Sequence, residues 1–205
     1  MSVIHNPATG RAVVISGPSG VGKTKIKNNI ERESGIRFSF SVSATTREKR
    51  KGEEDGVDYF FFSHAKFTKY ALEDKFIECA EVHGEFYGTL LREVVVPVKN
   101  NEQVLLDIDV RGHALIRQRK ELEGKILSIF LKPESLEDLE RRLRARNDGM
   151  SEEEIQARIA EASVEMARAH EYDFQIFCRQ SDSGIDEQCL SEVCAILEEH
   201  ILVRR

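Results

Sequence analysis

Residues Gly17-Pro18-Ser19-Gly20-Val21-Gly22-Lys23-Thr24 fit G-x-x-x-x-G-K-[ST] at every fixed position. Glycines in that arrangement let backbone N–H groups turn inward around phosphate oxygens, and a helix that follows adds its positive N-terminal end. In such a loop Lys23 reaches the β- and γ-phosphates of a nucleoside triphosphate, and the Thr24 hydroxyl binds a magnesium ion. A carboxylate at the end of a neighbouring strand would complete the metal's surroundings, and Asp107, directly after Val104-Leu105-Leu106, holds that place.

A second group of residues points to a second phosphate. Ser43-Ala44-Thr45-Thr46-Arg47-Glu48-Lys49-Arg50 sets two arginines three apart beside hydroxyls, and Tyr59 follows. Guanidinium forks of this kind clamp a phosphate through paired, charge-assisted hydrogen bonds. Phe76-Ile77-Glu78 and Tyr87-Gly88-Thr89 come next. Further on, Arg141-Arg142-Leu143-Arg144-Ala145-Arg146 is a second basic cluster, followed at a distance by Arg158. A charge run by itself is more often a solvated face, and Arg141 and Arg144 are read that way.

These groups need a scaffold. Ala12–Ser16 and Val104–Ile108 are short aliphatic runs, the pattern of strands covered on both faces. Ile126–Leu131, stopping before Lys132-Pro133, and Phe174–Phe177 are two further strands. Ser135 with Asp138, and Ser151 with Glu154, mark helix starts; Leu190, Val193, Leu197 and Ile201 share one face of a last helix. Strands alternating with helices predict an α/β fold, a mainly parallel sheet flanked by helices. The aromatic, turn-broken stretch from Phe38 to Thr89 reads as a small α+β insertion. The charged stretch Glu140–Arg168 reads as a helical excursion with little core of its own.

Composition limits the function classes. The chain has 205 residues, room for one large domain or one core with insertions. It is 40% hydrophobic and 32% charged, which is ordinary for a soluble globular protein. No apolar run approaches 18 residues and no secretory signal opens the chain, so neither a membrane span nor export is expected. Lys plus Arg number 30 against 36 Asp plus Glu, a net charge of −6. That balance disfavours a nucleic-acid partner, because duplex affinity comes from many lysine and arginine contacts to phosphate. Cys79, Cys178, Cys189 and Cys194 show no zinc spacing and read as free thiols in a reducing cytoplasm.

The segments GPSGVGK, SVSATTREKRKGEEDGVDYFF, FIECAEVHGEFYGT and LLDIDVRG together resemble guanylate kinase along most of the chain. The phosphate loop is common to many NTPases; the TTR-x-x-R-x-G-E block followed by Y-G-T is far more specific. The resemblance implies transfer of a phosphoryl group from ATP to GMP (or dGMP) on Mg2+. It also implies a division into a core (1–40, 92–137 and 170–205), a GMP-binding insertion (41–91) and a lid (138–169). Arg47, Arg50, Tyr59 and Tyr87 would hold the GMP phosphate; Ser43 and Thr89 would contact the guanine side; Glu78 and Asp109 would read the base. Lys23, Arg47, Arg142, Arg146 and Arg158 would carry the catalytic charge, with Thr24 and Asp107 toward the metal. The chemistry of the base agrees: guanine offers N1–H and an amino group as adjacent donors to a carboxylate, whereas adenine presents an acceptor at N1.

Three positions depart from the family pattern. Lys25 stands where a second hydroxyl is usual, Asn147-Asp148 follow Arg146, and Ile176-Phe177-Cys178-Arg179 replaces I-V-N-D. Cys178 lacks the paired donor and acceptor of an amide, so contact with the donor base is altered. A binding module on the same fold, or a kinase of another small phosphorylated acceptor, are the alternative readings. The expected working unit is a monomer or weak homodimer in the cytoplasm.

Overall fold

Alternation of two buried apolar sets along Ala12-Val13-Val14-Ile15 requires a strand covered on both faces, and the computed structural model places it at the centre of a parallel sheet. Residues 9–82, 84–145, 150–179 and 186–202 are described. In chain order the elements are β1 (Arg11–Ser16), α1 (Lys23–Ser34), β2 (Phe38–Phe40), β3 (Ser43–Thr45), β4 (Phe60–Phe61), α2 (His64–Leu72), β5 (Phe76–Val82) and β6 (Glu85–Leu90). There follow α3 (Arg92–Lys99), β7 (Gln103–Asp107), α4 (Val110–Ile116), β8 (Ile126–Lys132), α5 (Leu136–Ala145), α6 (Glu152–Ala167), β9 (Phe174–Phe177) and α7 (Glu187–Ile201).

The larger sheet runs β2-β7-β1-β8-β9 with every pair parallel. Val13, Ile15, Leu127 and Ile129 face α1 and α7, where Ile26, Ile30, Val193 and Leu197 are buried against them. Ala12, Val14, Leu106 and Phe130 face the other side, against Val94 and Val98 of α3 and Ile116 of α4. Ile15 and Asp107 are in register, so the chain leaving β1 into the Gly17–Lys23 turn emerges beside the carboxylate ending β7. Ligands of parallel sheets gather at this carboxyl edge. The turn is tight: Gly17 has φ +146°, and a Cβ there would lie 2.4 Å from the Leu131 carbonyl oxygen.

The smaller sheet, β4-β3-β6-β5, is mostly antiparallel and rests on α2 through aromatic stacking. Phe67 stacks on Phe76 at 4.5 Å and on Phe86 at 5.5 Å between ring centroids. α5 and α6 have a core of Leu139, Leu143 and Ala162. Ser135 Oγ accepts from the Asp138 amide at 3.1 Å, and Ser151 and Glu154 form a reciprocal capping box at the start of α6.

The four strands expected of the core are present, while β2 joins the larger sheet beside β7 and so lies outside the aromatic-rich insertion that begins after it. The expectation of four free thiols is overturned. Cys178 and Cys189 form a disulfide, their Cα atoms 5.2 Å apart; Cys79 and Cys194 are free. Cys178 directly follows β9, and Cys189 lies in the first turn of α7, so the reversal between strand and helix turns both side chains into the same apolar layer. Nothing in a sequence separation of 11 announces that meeting.

Candidate active site

Lys23 opens α1, and its Nζ curls back to donate to the carbonyls of Gly17, at 2.5 Å, and Pro18, at 3.3 Å. The amine thus sits over the mouth of the glycine loop. A cleft begins there, lined by Gly17, Ser19, Lys23, Asp107, Asp109 and Arg158. Ser16 Oγ donates to the Ile108 carbonyl at 2.5 Å and ties the two strand ends that form its floor. From above, Arg158 of α6 donates through Nη1 to Ser19 Oγ at 2.6 Å. α6 therefore lies across the glycine loop. Thr24 and Asp107 are both exposed at this edge. A hydroxyl and a carboxylate are hard oxygen donors, a set that suits Mg2+.

A second group of side chains forms a row across three strands. Ser43 pairs with Thr89, and Thr89 with Glu78, so the three side chains stand on one face of β3-β6-β5. Tyr87, two residues before Thr89, stands on that face too. Thr89 donates to Glu78 Oε1 from its hydroxyl at 2.7 Å and from its amide at 3.1 Å. Burial raises the Glu78 pKa, the Thr89 hydroxyl opposes the rise, and the charge of Asp109 adds to it. Asp109 caps α4: its Oδ1 accepts from the amides of Arg111 and Gly112 at 3.0 and 2.8 Å. A Cβ on Gly112 would lie 3.1 Å from Glu78 Cγ, so glycine lets α4 approach Glu78.

Arg47 leaves β3 toward this row. Its Nη2 pairs with Glu53 Oε1 at 2.7 Å, its Nη1 donates to the Glu48 carbonyl, and its guanidinium lies over the rings of Tyr59 and Phe61. Tyr59 meets Tyr87 edge to face with centroids 6.1 Å apart. Glu53 also accepts from the Arg50 amide at 2.7 Å, and the Arg50 side chain is exposed. Pairing with Arg47 lowers the Glu53 pKa and, reciprocally, the Glu53 contact raises that of Arg47.

The arginines of α5 and α6 part company. Arg158 faces the cleft, whereas Arg142, expected to swing onto phosphates, is buried behind the loop. Its Nη2 donates to the Cys178 carbonyl at 2.6 Å, its Nη1 to the Val21 carbonyl at 3.3 Å, and Asp138, one turn earlier, pairs with it at 2.5 Å. Arg146 and the Asn147-Asp148 departure lie outside the described residues. Sequence reasoning missed Glu53, Asp138, Glu161 and Glu165. Glu53 lies within the TTR-x-x-R-x-G-E block and was legible as Arg47's partner; the other three show themselves only once α5 and α6 are folded over the loop. Glu161 and Glu165 line the cleft, and burial raises the pKa of Glu165 against the pull of Lys23.

Comparison with known proteins settles the family. The guanylate kinase profile matches residues 9–200. The chain belongs to the guanylate kinase family. It is 42% identical to the guanylate kinase of Chlorobaculum tepidum over 167 residues, covering 82% of this chain and 84% of that one. Against the guanylate kinase of Fusobacterium nucleatum it is 40% identical over 192 residues, 94% of this chain and 98% of the relative. The crystal structure of guanylate kinase from Anaplasma phagocytophilum superposes with a TM-score of 0.66 at 29% identity, covering 96% of this chain and 88% of that one.

Proposed function

We propose that this chain transfers the γ-phosphoryl group of ATP to the phosphate of GMP or dGMP, giving ADP and GDP or dGDP. The observation that carries this reading is the Ser43–Thr89–Glu78 row, with Asp109 across from it and Arg47, Tyr59 and Tyr87 beyond. That face offers carboxylate acceptors to the N1–H and amino group of guanine at one end and a cation among phenols to a phosphate at the other. The glycine loop lies across the cleft to take the donor. A module that only binds would not need Lys23 and Thr24, and an acceptor without a purine would leave Glu78 and Asp109 facing nothing they recognise.

Phosphoryl transfer asks little covalent chemistry of a protein; the work is alignment and neutralisation of charge on the moving group. Backbone N–H groups of residues 19–24 and the Lys23 amine hold the donor phosphates, and Arg158, already above Ser19, covers them. Arg47 holds the attacking GMP phosphate, with Arg50 as a second cation on the same loop. Arg146 is proposed to join Arg158 on the donor. Thr24 and Asp107 would hold Mg2+, which when bound offsets phosphate charge. Closing α6 over the loop excludes water that would otherwise take the phosphoryl group. A cytoplasmic monomer or weak homodimer, with no nucleic-acid partner given a net charge of −6, completes the proposal. Among the described residues no helix is long and apolar enough to cross a membrane.

ADP release from purified protein with ATP and Mg2+, compared for GMP, AMP and no acceptor, tests the reading. Rapid release with GMP alone is expected, and Lys23→Ala should remove at least about 10²–10³ of it, on the scale of deleting one preorganised charge-stabilising group, with GMP binding retained. Equal release with AMP, or none with either acceptor, would overturn it.

A further inference from the structure

Cys178 stands at the junction of three things the fold otherwise keeps apart. Its sulfur is joined to Cys189 in the first turn of α7, its amide donates to the Lys132 carbonyl at the end of β8, and its carbonyl accepts from Arg142. Arg142 in turn reaches the Val21 carbonyl inside the glycine loop. A continuous path of covalent and hydrogen bonds thus runs from the disulfide to the donor-phosphate loop. Among the described residues none of Cys178, Cys189, Arg142 and Val21 hydrogen-bonds to Glu78, which lies on the other sheet, or to Arg47, on the loop after β3. We propose that Cys178 and Cys189 are a thiol–disulfide site whose state sets the affinity for the donor nucleotide without altering that for the acceptor. The proposal rests on the assignment of the glycine loop to ATP.

Closing the pair joins the two sulfurs, releases two protons, and passes two electrons to a low-molecular-weight disulfide, which leaves as two thiols. Reduction by a dithiol runs the same balance backwards. When the bond is closed, the end of β9 is tied to α7, and the Cys178 carbonyl is fixed where Arg142 needs it. When it is open, Cys178 keeps its amide bond to Lys132 but loses its tie to α7. Arg142 then keeps Asp138 but has a looser hold on Val21. The pair could instead be read as metal ligands, since an Asp186 oxygen lies within 4.8 Å of both sulfurs. The carboxylate is already committed: Asp186 accepts from the amides of Arg179, Gln188 and Cys189 as the cap of α7. A bond between the sulfurs leaves those caps intact. The remaining thiols do not compete: Cys194 is buried and its pKa is pushed up to about 11, and Cys79 is exposed on the far sheet.

The test uses the full chain with Cys79→Ser to prevent links between molecules. Mass spectrometry after alkylation counts free thiols in protein treated with oxidised glutathione or with a phosphine; calorimetry then measures ATP and GMP binding in each state. One thiol (Cys194) is expected after oxidation and three after reduction. ATP should bind about tenfold more weakly to the reduced form, the scale of energetic coupling through a contiguous network, with GMP binding unchanged. Cys189→Ser should bind ATP like the reduced form and ignore the oxidant, and Arg142→Lys should bind ATP equally in both states. Three thiols after oxidation, a stoichiometric zinc ion retained on the untreated protein, or equal ATP affinity in the two states would overturn the proposal. Loss of ATP binding in every state would overturn the assignment of the loop itself.

Discussion

Glu78 and Thr89 are joined twice, and both bonds fall on one oxygen: the Thr89 hydroxyl and amide each donate to Glu78 Oε1. The arrangement fixes the carboxylate plane and leaves Oε2 to accept from a ligand. Guanine's adjacent N1–H and amino donors fit a carboxylate so held. Glu78→Gln keeps the Thr89 bonds but turns one acceptor into a donor. It should lower kcat/KM for GMP by about 1–3 kcal/mol of discrimination, while the value for AMP holds or rises. Steady-state kinetics on both acceptors check this; an unchanged GMP-to-AMP ratio would remove Glu78 from base reading.

The same glutamate predicts a pH dependence. Its pKa is raised above the ordinary 4.5, chiefly by burial, and in the role proposed for it the ionised form is the one that accepts from guanine. The KM for GMP should therefore climb as the pH falls, starting above 4.5, and more steeply in the parent than in Glu78→Gln, in which only the GMP phosphate still titrates. Because folding favours the protonated side chain, the ionised one costs stability above its unfolded pKa, and Glu78→Gln should be the more stable protein at neutral pH. GMP profiles of equal steepness in the parent and in Glu78→Gln would count against the carboxylate.

Arg47 owes its direction to Glu53. The 2.7 Å pair turns the guanidinium back over Tyr59 and Phe61 instead of into solvent. Glu53→Gln keeps the shape and one acceptor but loses the charge. We expect the KM for GMP to rise roughly tenfold, as when a group that orients a ligand is replaced, and kcat to fall less. Glu53→Asp should recover part of the loss. Equal falls in kcat and kcat/KM would instead place the pair in the transition state.

The phosphate loop, the four core strands and both α5 and α6 caps were legible because each is a local pattern: glycine spacing, an aliphatic run, a hydroxyl three residues before an acid. Glu78 and Asp109 were legible only by family resemblance, since an acid on a strand or before a helix has no spacing of its own. What escaped depends on the chain meeting itself. Cys178 and Cys189 meet across a strand-to-helix reversal, and Arg142 finds the Cys178 carbonyl only because Asp138 and the packing of α5 hold it inward. β2 was hidden for another reason: Phe38-Ser39-Phe40 is too short for periodicity to speak, and it is a strand because β7 offers it an edge.

His113 supplies a prediction about stability. Its ring is buried on α4, stacked on Tyr172 with centroids 3.8 Å apart, and neither ring nitrogen has a hydrogen-bond partner among the described residues. Burial is the main reason that its pKa falls to about 4. Arg117 and Arg168 push the same way, and Asp173 and Glu171 oppose them. Between pH 6.5 and 4 the unfolded chain takes up a proton that the folded one refuses, so stability falls as the pH falls. By linkage the loss reaches on the order of 3 kcal/mol at the low end. His113→Phe keeps the stacked ring and gives up no hydrogen bond. At neutral pH it should match or exceed the parent's stability, and toward pH 4 it should lose markedly less. Denaturant unfolding at pH 7, 6, 5 and 4 provides the comparison. Parallel curves for the two proteins would mean that His113 is protonated in the fold, and that one of the flanking carboxylates takes its charge.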